Sequence, residues 1–371
     1  MRARIWFSSV LALAAGFCLG CSAGREVRVG VAAPLSGPEA KTGRAILNGA
    51  QLAADQCNAA GGVRGKRVTI IAVDDKDLPD EAERAATELC GKGVAFVAGH
   101  VDSGCSHRAA AVYLVHRVVM ISPASTSPAL TCAGNPYVFR VCGRDDQQGK
   151  VAAVWFVNHL PGHKVVVISD GSNYGCGLAR EFKTNLDFLS SGTVTSYETI
   201  ARGQTDFSAL VVKLKAAPPQ MIYFGGLETD GAALLRAVRD AGAPCGFMAG
   251  DGCFGDEFIE KAGKQAAEGA MATFAHDLSG RPAYREWLPA YKEKFGDAGP
   301  FAVYGYTAVQ VGLKAYAQAV YPPSSVTLRD ALHRLTFDTL FGPLKFDDRG
   351  DPNENPYTMW QVVDGKYTEV D

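Results

Sequence analysis

From Val27 onward the chain alternates two patterns. Short runs dense in apolar and β-branched residues give way to longer stretches whose apolar positions recur every three or four residues. "VRVGVAAP" (Val27–Pro34) is a run of the first kind, ending in a turn. "GRAILNGAQLAADQCNAAG" is of the second kind. Its Ile46, Leu47, Ala50, Ala53 and Ala54 fall on one side of a helix that stops at Gly61-Gly62. Strands are predicted at "RVTIIAVDD", "VAFVAGH", "VVMISPAS", "KVVVISD", "GTVTSYETI", "QMIYFGG" and "GFMAGDG". Between them lie the helical patterns "DEAERAATELCGKG", "RAAAVYLVHR", "LAREFKTNLDFL", "DFSALVVKLKAA" and "DGAALLRAVRDAG". Strands alternating with amphipathic helices predict an α/β fold with mainly parallel sheets flanked by helices on both faces. Ligands of such sheets sit at the carboxyl ends of the strands. From Thr327 the style changes to a helix, short strands broken by Gly342-Pro343, an Asp/Asn/Pro loop and a hairpin around Asp364-Gly365.

The N-terminus departs from this pattern. Arg2 and Arg4 precede an apolar run from Ile5 to Gly20, too short for a spanning helix and built like an export signal. Leu19-Gly20-Cys21 resembles the end of a bacterial lipobox, with Cys18 standing where Leu is usual. Residues 1–21 are expected to be a signal peptide and Cys21 a lipidated N-terminus, periplasmic or held to the membrane facing the periplasm. Cleavage after Ala23 is the alternative. Eight cysteines remain: Cys57, Cys90, Cys105, Cys132, Cys142, Cys176, Cys245 and Cys253. In an oxidising compartment an even number allows disulfides whose pairing the spacing does not decide. The other reading is small buried hydrophobes. A formal net charge of -2 marks no nucleic-acid partner, and 47% hydrophobic residues are enough for two cored domains.

Candidate chemistry gathers at the strand ends. In "MISPASTSPALT" (Met120–Thr131) hydroxyls crowd in directly after an apolar strand, as a carboxylate-holding loop or a plain turn would have them. Thr126 can present N–H and hydroxyl together. Ser103 precedes a helical pattern, so it is either an N-cap or a donor to an anion at a helix N-terminus. Asp251 lies between Gly250 and Gly252, in a turn or against a ligand. Tyr174 is a site or rim aromatic, and Phe301 a site or core one. His100 and His107 are read as structural, with no metal. The paired Asp145 and Asp146 are read as a solvated helix start. No G-x-S-x-G, H-E-x-x-H or Walker loop is present, so no enzyme is expected.

Taken in order, "VGVAAPLSGPEAKTGRAILNGAQLAADQCNAAGGVRGKRV", "VAFVAGHVDSGCS", "VMISPASTSPALT", "FRVCGRDDQQG", "SDGSNYGCGLA", "TDFSALVVKLK", "GFMAGDG" and "FGPLKFDDRGD" resemble the periplasmic leucine/isoleucine/valine-binding proteins. These are substrate-binding components of branched-chain amino acid ABC transporters. The resemblance implies a two-lobed type I periplasmic binding fold with the ligand in the interlobe cleft and three crossing segments. The first lobe would be residues 25–144 plus 274–351, and the second 145–273 plus 352–371. It implies a small-molecule amino acid as ligand, a permease in the inner membrane as partner, a monomer and no cofactor. A ligand sensor, or a binder of an amide or carboxylate, is the alternative. The implied ligand-binding residues are Ser103, Ala124 through its carbonyl, Ser125, Thr126, Tyr174, Leu227, Asp251 and Phe301. Three departures stand out. Asp251 replaces the usual Glu, Thr42 and Leu227 replace cleft aromatics, and Asp77 and Asp102 stand where the family's best-known members form a disulfide.

Overall fold

The computed structural model describes residues 26–160, 164–190 and 192–370. The apolar run at Ile5–Gly20, and Cys21 with the lipidation expected there, lie outside the described residues. The first strands all enter one sheet: β1 (Glu26–Ala33), β2 (Arg67–Asp74), β3 (Phe96–Ala98), β4 (Val119–Ser122) and β5 (Val138–Arg140). Their order is β2-β1-β3-β4-β5, and every neighbouring pair is parallel. Successive side chains of a strand point to opposite faces. Phe96, Ala98, Val119, Ile121 and Phe139 therefore pack on one side with the helices Ala40–Ala59 and Ala302–Gln318. Val97, Met120 and Val138 pack on the other with Leu89, Ala109 and Tyr113. The first two helices approach so closely that a Cβ on Gly49 would lie 2.0 Å from the Ala302 carbonyl oxygen, so glycine is required there.

A second sheet takes β6 (Lys164–Ser169), β7 (Thr193–Thr199), β8 (Met221–Gly225), β9 (Gly246–Ala249) and β10 (Met271–Ala275). A separate two-stranded ribbon, β11 (Thr336–Thr339) and β12 (Gly342–Lys345), follows. The chain then returns to the second sheet as β13 (Tyr357–Val363) and β14 (Lys366–Val370), giving the order β14-β13-β10-β9-β8-β6-β7. Only β13 runs against the rest, antiparallel to β10 on one side and to β14 on the other, which it meets through the turn at Asp364-Gly365. Val165, Val167, Met221, Tyr223 and Met248 face the helices Asp145–His159 and Asn173–Leu189. Ile168, Ile222, Phe224 and Phe247 face the helix Glu228–Asp240 on the opposite side. The chain thus passes between the two sheets after β5, after β10 and before β13. The helices Pro282–Phe295, Ala302–Gln318 and Ser325–Arg334 add to the first body.

Two details differ from the sequence reading, and a third decides between its alternatives. Gly342-Pro343 does not break a strand; it begins β12, while Leu340-Phe341 makes the turn. Proline is tolerated there because the ribbon is all edge. Asp145 opens its helix but is fully buried, not solvated, because that first turn lies against Thr126 and Gln148. The eight cysteines at and beyond Cys57 are all free thiols, four of them buried, which fits the reading as small hydrophobes. No helix among the described residues is long and apolar enough to cross a membrane.

Candidate functional site

The carboxyl ends of both sheets open on a cavity between the two bodies. On the first body, β3 ends at Ala98 and the chain turns into the helix Ser103–His116. The N-cap of that helix is Asp102, whose Oδ1 accepts from the N–H groups of Gly104 and Cys105 at 2.7 and 3.2 Å. Ser103 is therefore not the cap. It lies at the cavity wall, and its hydroxyl accepts only a long 3.3 Å bond from Ser127 N–H.

The hydroxyl-rich loop after β4 spends most of its hydroxyls on its own shape. Ser122 Oγ donates to the His100 carbonyl at 2.9 Å and accepts from Ser125 N–H at 2.9 Å. Ser125 Oγ donates to the Val101 carbonyl at 2.9 Å. Behind the loop, Arg140 is completely buried at the end of β5. Its guanidinium donates to the Ser125 carbonyl (2.7 Å), the Ser127 carbonyl (2.9 Å), Thr131 Oγ1 (2.8 Å) and Asp351 Oδ1 (2.7 Å). Arg144 closes the network at 2.9 Å on Asp351 Oδ2. A planar fork of five donors suits such a cluster of acceptors. Ala124 is thereby presented at the cavity, whereas Ser125 and Thr126 stand behind the wall.

On the second body, Asp251 follows β9 in a single 3-10 turn, Asp251–Cys253, and is 5% exposed. The Tyr174 hydroxyl donates to Asp251 Oδ1 at 2.7 Å and accepts from Gly252 N–H at 3.0 Å. Asp251 N–H donates to Gln148 Oε1 at 3.0 Å, which Thr273 Oγ1 also reaches at 2.7 Å. Burial raises the Asp251 carboxyl above its ordinary range, and the bonds from Tyr174 and Gln148 pull it back. Asp145, buried nearby, is held well above its ordinary value by burial and then by Asp251, which favours its neutral form. Of the residues singled out from the sequence, Ser103, Ala124, Tyr174, Leu227, Asp251 and Phe301 border the one cavity.

Sequence reasoning passed over the acids Glu39 and Glu228, and Arg202 opposite them. Glu39 stands three residues before Thr42, and Glu228 directly follows Leu227, so the neighbours of both departures were the available signal. Asp77 and Asp102 do come together, with Cys105, all within 4.8 Å. The group does not fit a metal. Arg202 already holds Asp77 Oδ2 at 2.5 Å from the other body, and burial with the nearby Asp102 pushes the Cys105 thiol far up, away from the thiolate a metal needs. His100 spends both ring nitrogens on Asp75 (2.7 Å) and Tyr113 (3.0 Å). His107 contacts Ser127 Oγ at 3.1 Å.

Known proteins of the same build were found. The family model described as "Periplasmic binding protein" matches residues 26–366. A "Leu/Ile/Val-binding protein homolog 1" of Brucella abortus is 37% identical over 98% of this chain and 98% of its own length. An "Amino acid binding protein" of Pseudomonas aeruginosa is 33% identical over the whole of both chains. Among solved structures, the branched-chain amino acid transporter substrate-binding protein LivJ of Streptococcus pneumoniae, in complex with isoleucine, superposes with a TM-score of 0.83. It is 27% identical and matches 93% of this chain and 100% of its own.

Proposed function

This chain belongs to the periplasmic binding protein family, and we propose that it is the extracytoplasmic substrate-binding component of an ABC importer, capturing a free amino acid and delivering it to a permease in the inner membrane. One observation carries the amino-acid reading. Ser103, beside a helix N-terminus, and Asp251, with Tyr174 bonded to it, border the same cavity from opposite bodies. Ser103 offers its hydroxyl to a carboxylate at the first turn of that helix, whose dipole favours an anion, while Asp102 takes the Gly104 and Cys105 N–H groups of the same turn. Asp251 favours an ammonium through a charge-assisted hydrogen bond. Ala124 adds a loop carbonyl at the wall.

An amino acid engaging both ends favours the closed form, since only that form offers both sets of contacts. Residues 25–144 with 274–351 then move as one lobe, and 145–273 with 352–371 as the other. The protein binds its ligand without transforming it, as a monomer tethered by a lipid on Cys21. Small-angle scattering should show a smaller radius of gyration on adding the ligand.

The decisive experiment is titration calorimetry of the wild type and Asp251→Asn against an amino acid and its deaminated 2-oxo acid. Loss of a charged hydrogen bond worth about 1.5–3 kcal/mol should weaken the amino acid roughly 10- to 150-fold. The oxo acid should bind the wild type weakly and ignore the substitution. Equal weakening of both would reduce Asp251 to a turn residue and remove the amino-acid assignment.

A further inference from the structure

Around Glu39 the cavity has a charge problem that a small neutral amino acid does not solve. Glu39 is 6% exposed, borders the cavity, and its carboxylate has no hydrogen-bond or ion-pair partner among the described residues. Asp102 Oδ2 is buried beside the same cavity, also without a partner. Asp77 and Glu228 complete the acidic wall. Their two cations are already engaged: Arg202 with Asp77 at 2.5 Å, and Lys261 with Glu257 at 2.8 Å and Glu228 at 3.3 Å. Asp251 is committed to the ligand's α-ammonium in the reading above. Glu39 therefore faces the cavity without a partner, and Asp102, whose Oδ1 holds the helix N-terminus, keeps Oδ2 unpaired. Buried charges without partners are costly, and binding sites tolerate them where the ligand brings the partner.

Through Thr42, Glu228 and Phe301 the cavity continues into an adjoining hollow of about 830 Å³. Its rim carries Asp256, Glu257, Glu260 and Asp297 against the single cation Lys41. One sign of charge along an approach raises the local concentration of the opposite ion.

We propose that the ligand is an amino acid with a cationic side chain, an ammonium or a guanidinium, whose distal charge is received by Glu39 with Asp102 and Glu228 beside it. This assignment rests on the amino-acid reading of Asp251 and Ser103 and names the side chain that reading leaves open. A carboxyl group without a partner, Glu39, and a second with one oxygen unpaired, Asp102, on the same cavity between the bodies, are the juxtaposition behind it.

The protonation of the wall sharpens the test. Glu39 is pushed up to about 8, first by burial, then by repulsion from Glu228 and Asp77, with Lys261 and Arg202 pulling back. Glu228 is pushed up to about 7 by burial and by Glu257, against Lys261. Lys41, on the helix that Glu39 precedes, points its amine toward Glu257 and Glu260 at 3.6 and 3.8 Å. Without a ligand, Glu39 thus keeps its proton at neutral pH. A cationic side chain favours the carboxylate and expels that proton, so its binding tightens as pH rises from about 6 to 8. A neutral side chain buries the protonated acid, and its binding weakens over the same range.

The experiment is calorimetry of the full protein, in two buffers of different ionisation enthalpy, with matched pairs: lysine against norleucine, and arginine against citrulline. The cationic member should bind at least 30-fold tighter, with proton release and the stated pH slope. Glu39→Gln should weaken lysine tenfold or more while leaving norleucine unchanged or tighter; Glu228→Gln should act in the same direction. If norleucine or leucine binds as tightly as lysine or tighter, the cationic assignment is wrong while the amino-acid reading stands. If no amino acid binds and Asp251→Asn changes nothing, the amino-acid reading fails first. Calcium chloride titrated in place of lysine separates an inorganic cation from an organic one; saturable binding abolished by Glu39→Gln would overturn the assignment.

Discussion

The two parts of the cleft are built on opposite principles. Around Asp251 the groups that hold the site have protein partners before any ligand arrives: Tyr174 on the carboxylate, Gln148 on its N–H, Arg140 under the loop. Around Glu39 the acids outnumber the cations, Glu39 itself borders the cavity without an ion pair among the described residues, and Asp102 keeps one oxygen unpaired. The first part is preorganised, so its contribution to binding is small adjustments around fixed donors. The second is incomplete without a ligand. Recognition of the backbone common to all amino acids suits the rigid part, and selection of a side chain suits the unfinished one.

The largest expected effect tests that rigidity. Arg140→Met leaves Asp351 half-paired and strips the Ser125 and Ser127 carbonyls of their donor. Breaking a buried ion pair on one side costs about 3–5 kcal/mol, which chemical denaturation should register. Arg140→Lys should recover little, because an ammonium cannot span the four acceptors a guanidinium reaches. Near-wild-type stability of Arg140→Met would mean that the loop shapes itself without this support. Next comes Gly250→Ala. A Cβ there would lie 2.2 Å from Leu178 Cδ2 and 2.8 Å from the Tyr174 hydroxyl. Overpacking of this kind costs roughly 1–3 kcal/mol. The Tyr174–Asp251 bond should be displaced, so affinity should fall along with stability. An unaffected affinity would detach Tyr174 from the site.

How much of this could be read in the chain follows the same divide. The parallel strands, the helix ended by Gly61-Gly62 and the Asp364-Gly365 hairpin are local signals, each confined to one short stretch, and they were legible. That Asp251 and Ser103 border the cavity was foreshadowed by their place at strand ends, while a ligand role for either came only from the family resemblance. The helices Pro282–Phe295 and Ala302–Gln318 were not singled out. Pro289 sits inside the first, and the second is apolar nearly all round, which blurs helical periodicity. At Ser125 the sequence left two roles open, since a hydroxyl at a strand end holds a ligand or holds the loop; here its hydroxyl bonds the Val101 carbonyl and its own carbonyl meets the buried Arg140, fifteen positions later. Glu39 and Glu228 meet from opposite bodies, and nothing in either stretch announces the other.

The pH dependence of the ligand-free protein reports on the unfinished part through the difference between the wild type and Glu39→Gln, since burial raises Asp145 and Asp251 as well. Carboxyls raised in the folded state bind protons that the unfolded chain has released, so stability falls as pH rises between the two values. For Glu39 that window runs from its ordinary 4.5 to about 8, and for Glu228 to about 7. His107, lowered by burial and then by Arg140, opposes the trend only up to its ordinary value near 6.5. Between about pH 6.5 and 8 the melting temperature should therefore decline, and Glu39→Gln should flatten the decline. Saturating lysine should flatten it too, by supplying the counter-charge. A wild-type curve that rises over this interval would mean that the wall is already compensated.

The smallest effect is expected from Lys41, which crosses the rim from the first body to Glu257 and Glu260 on the second at 3.6 and 3.8 Å. Its side chain is 62% exposed, and pairs in that setting contribute about 0–1 kcal/mol. Lys41→Met should therefore leave the stability of the ligand-free protein almost unchanged. It should, however, remove a positive charge at the mouth of an acidic approach. For a cationic ligand the association rate should rise at low ionic strength and converge on the wild-type rate at high salt, since the effect acts through screened charge. For a neutral amino acid it should not change at any salt concentration. Stopped-flow measurement of both ligands at two salt concentrations separates the outcomes. A slower association of lysine in Lys41→Met would show that the rim pair guides the bodies together rather than guarding the entrance, and that the acidic approach does not select by charge.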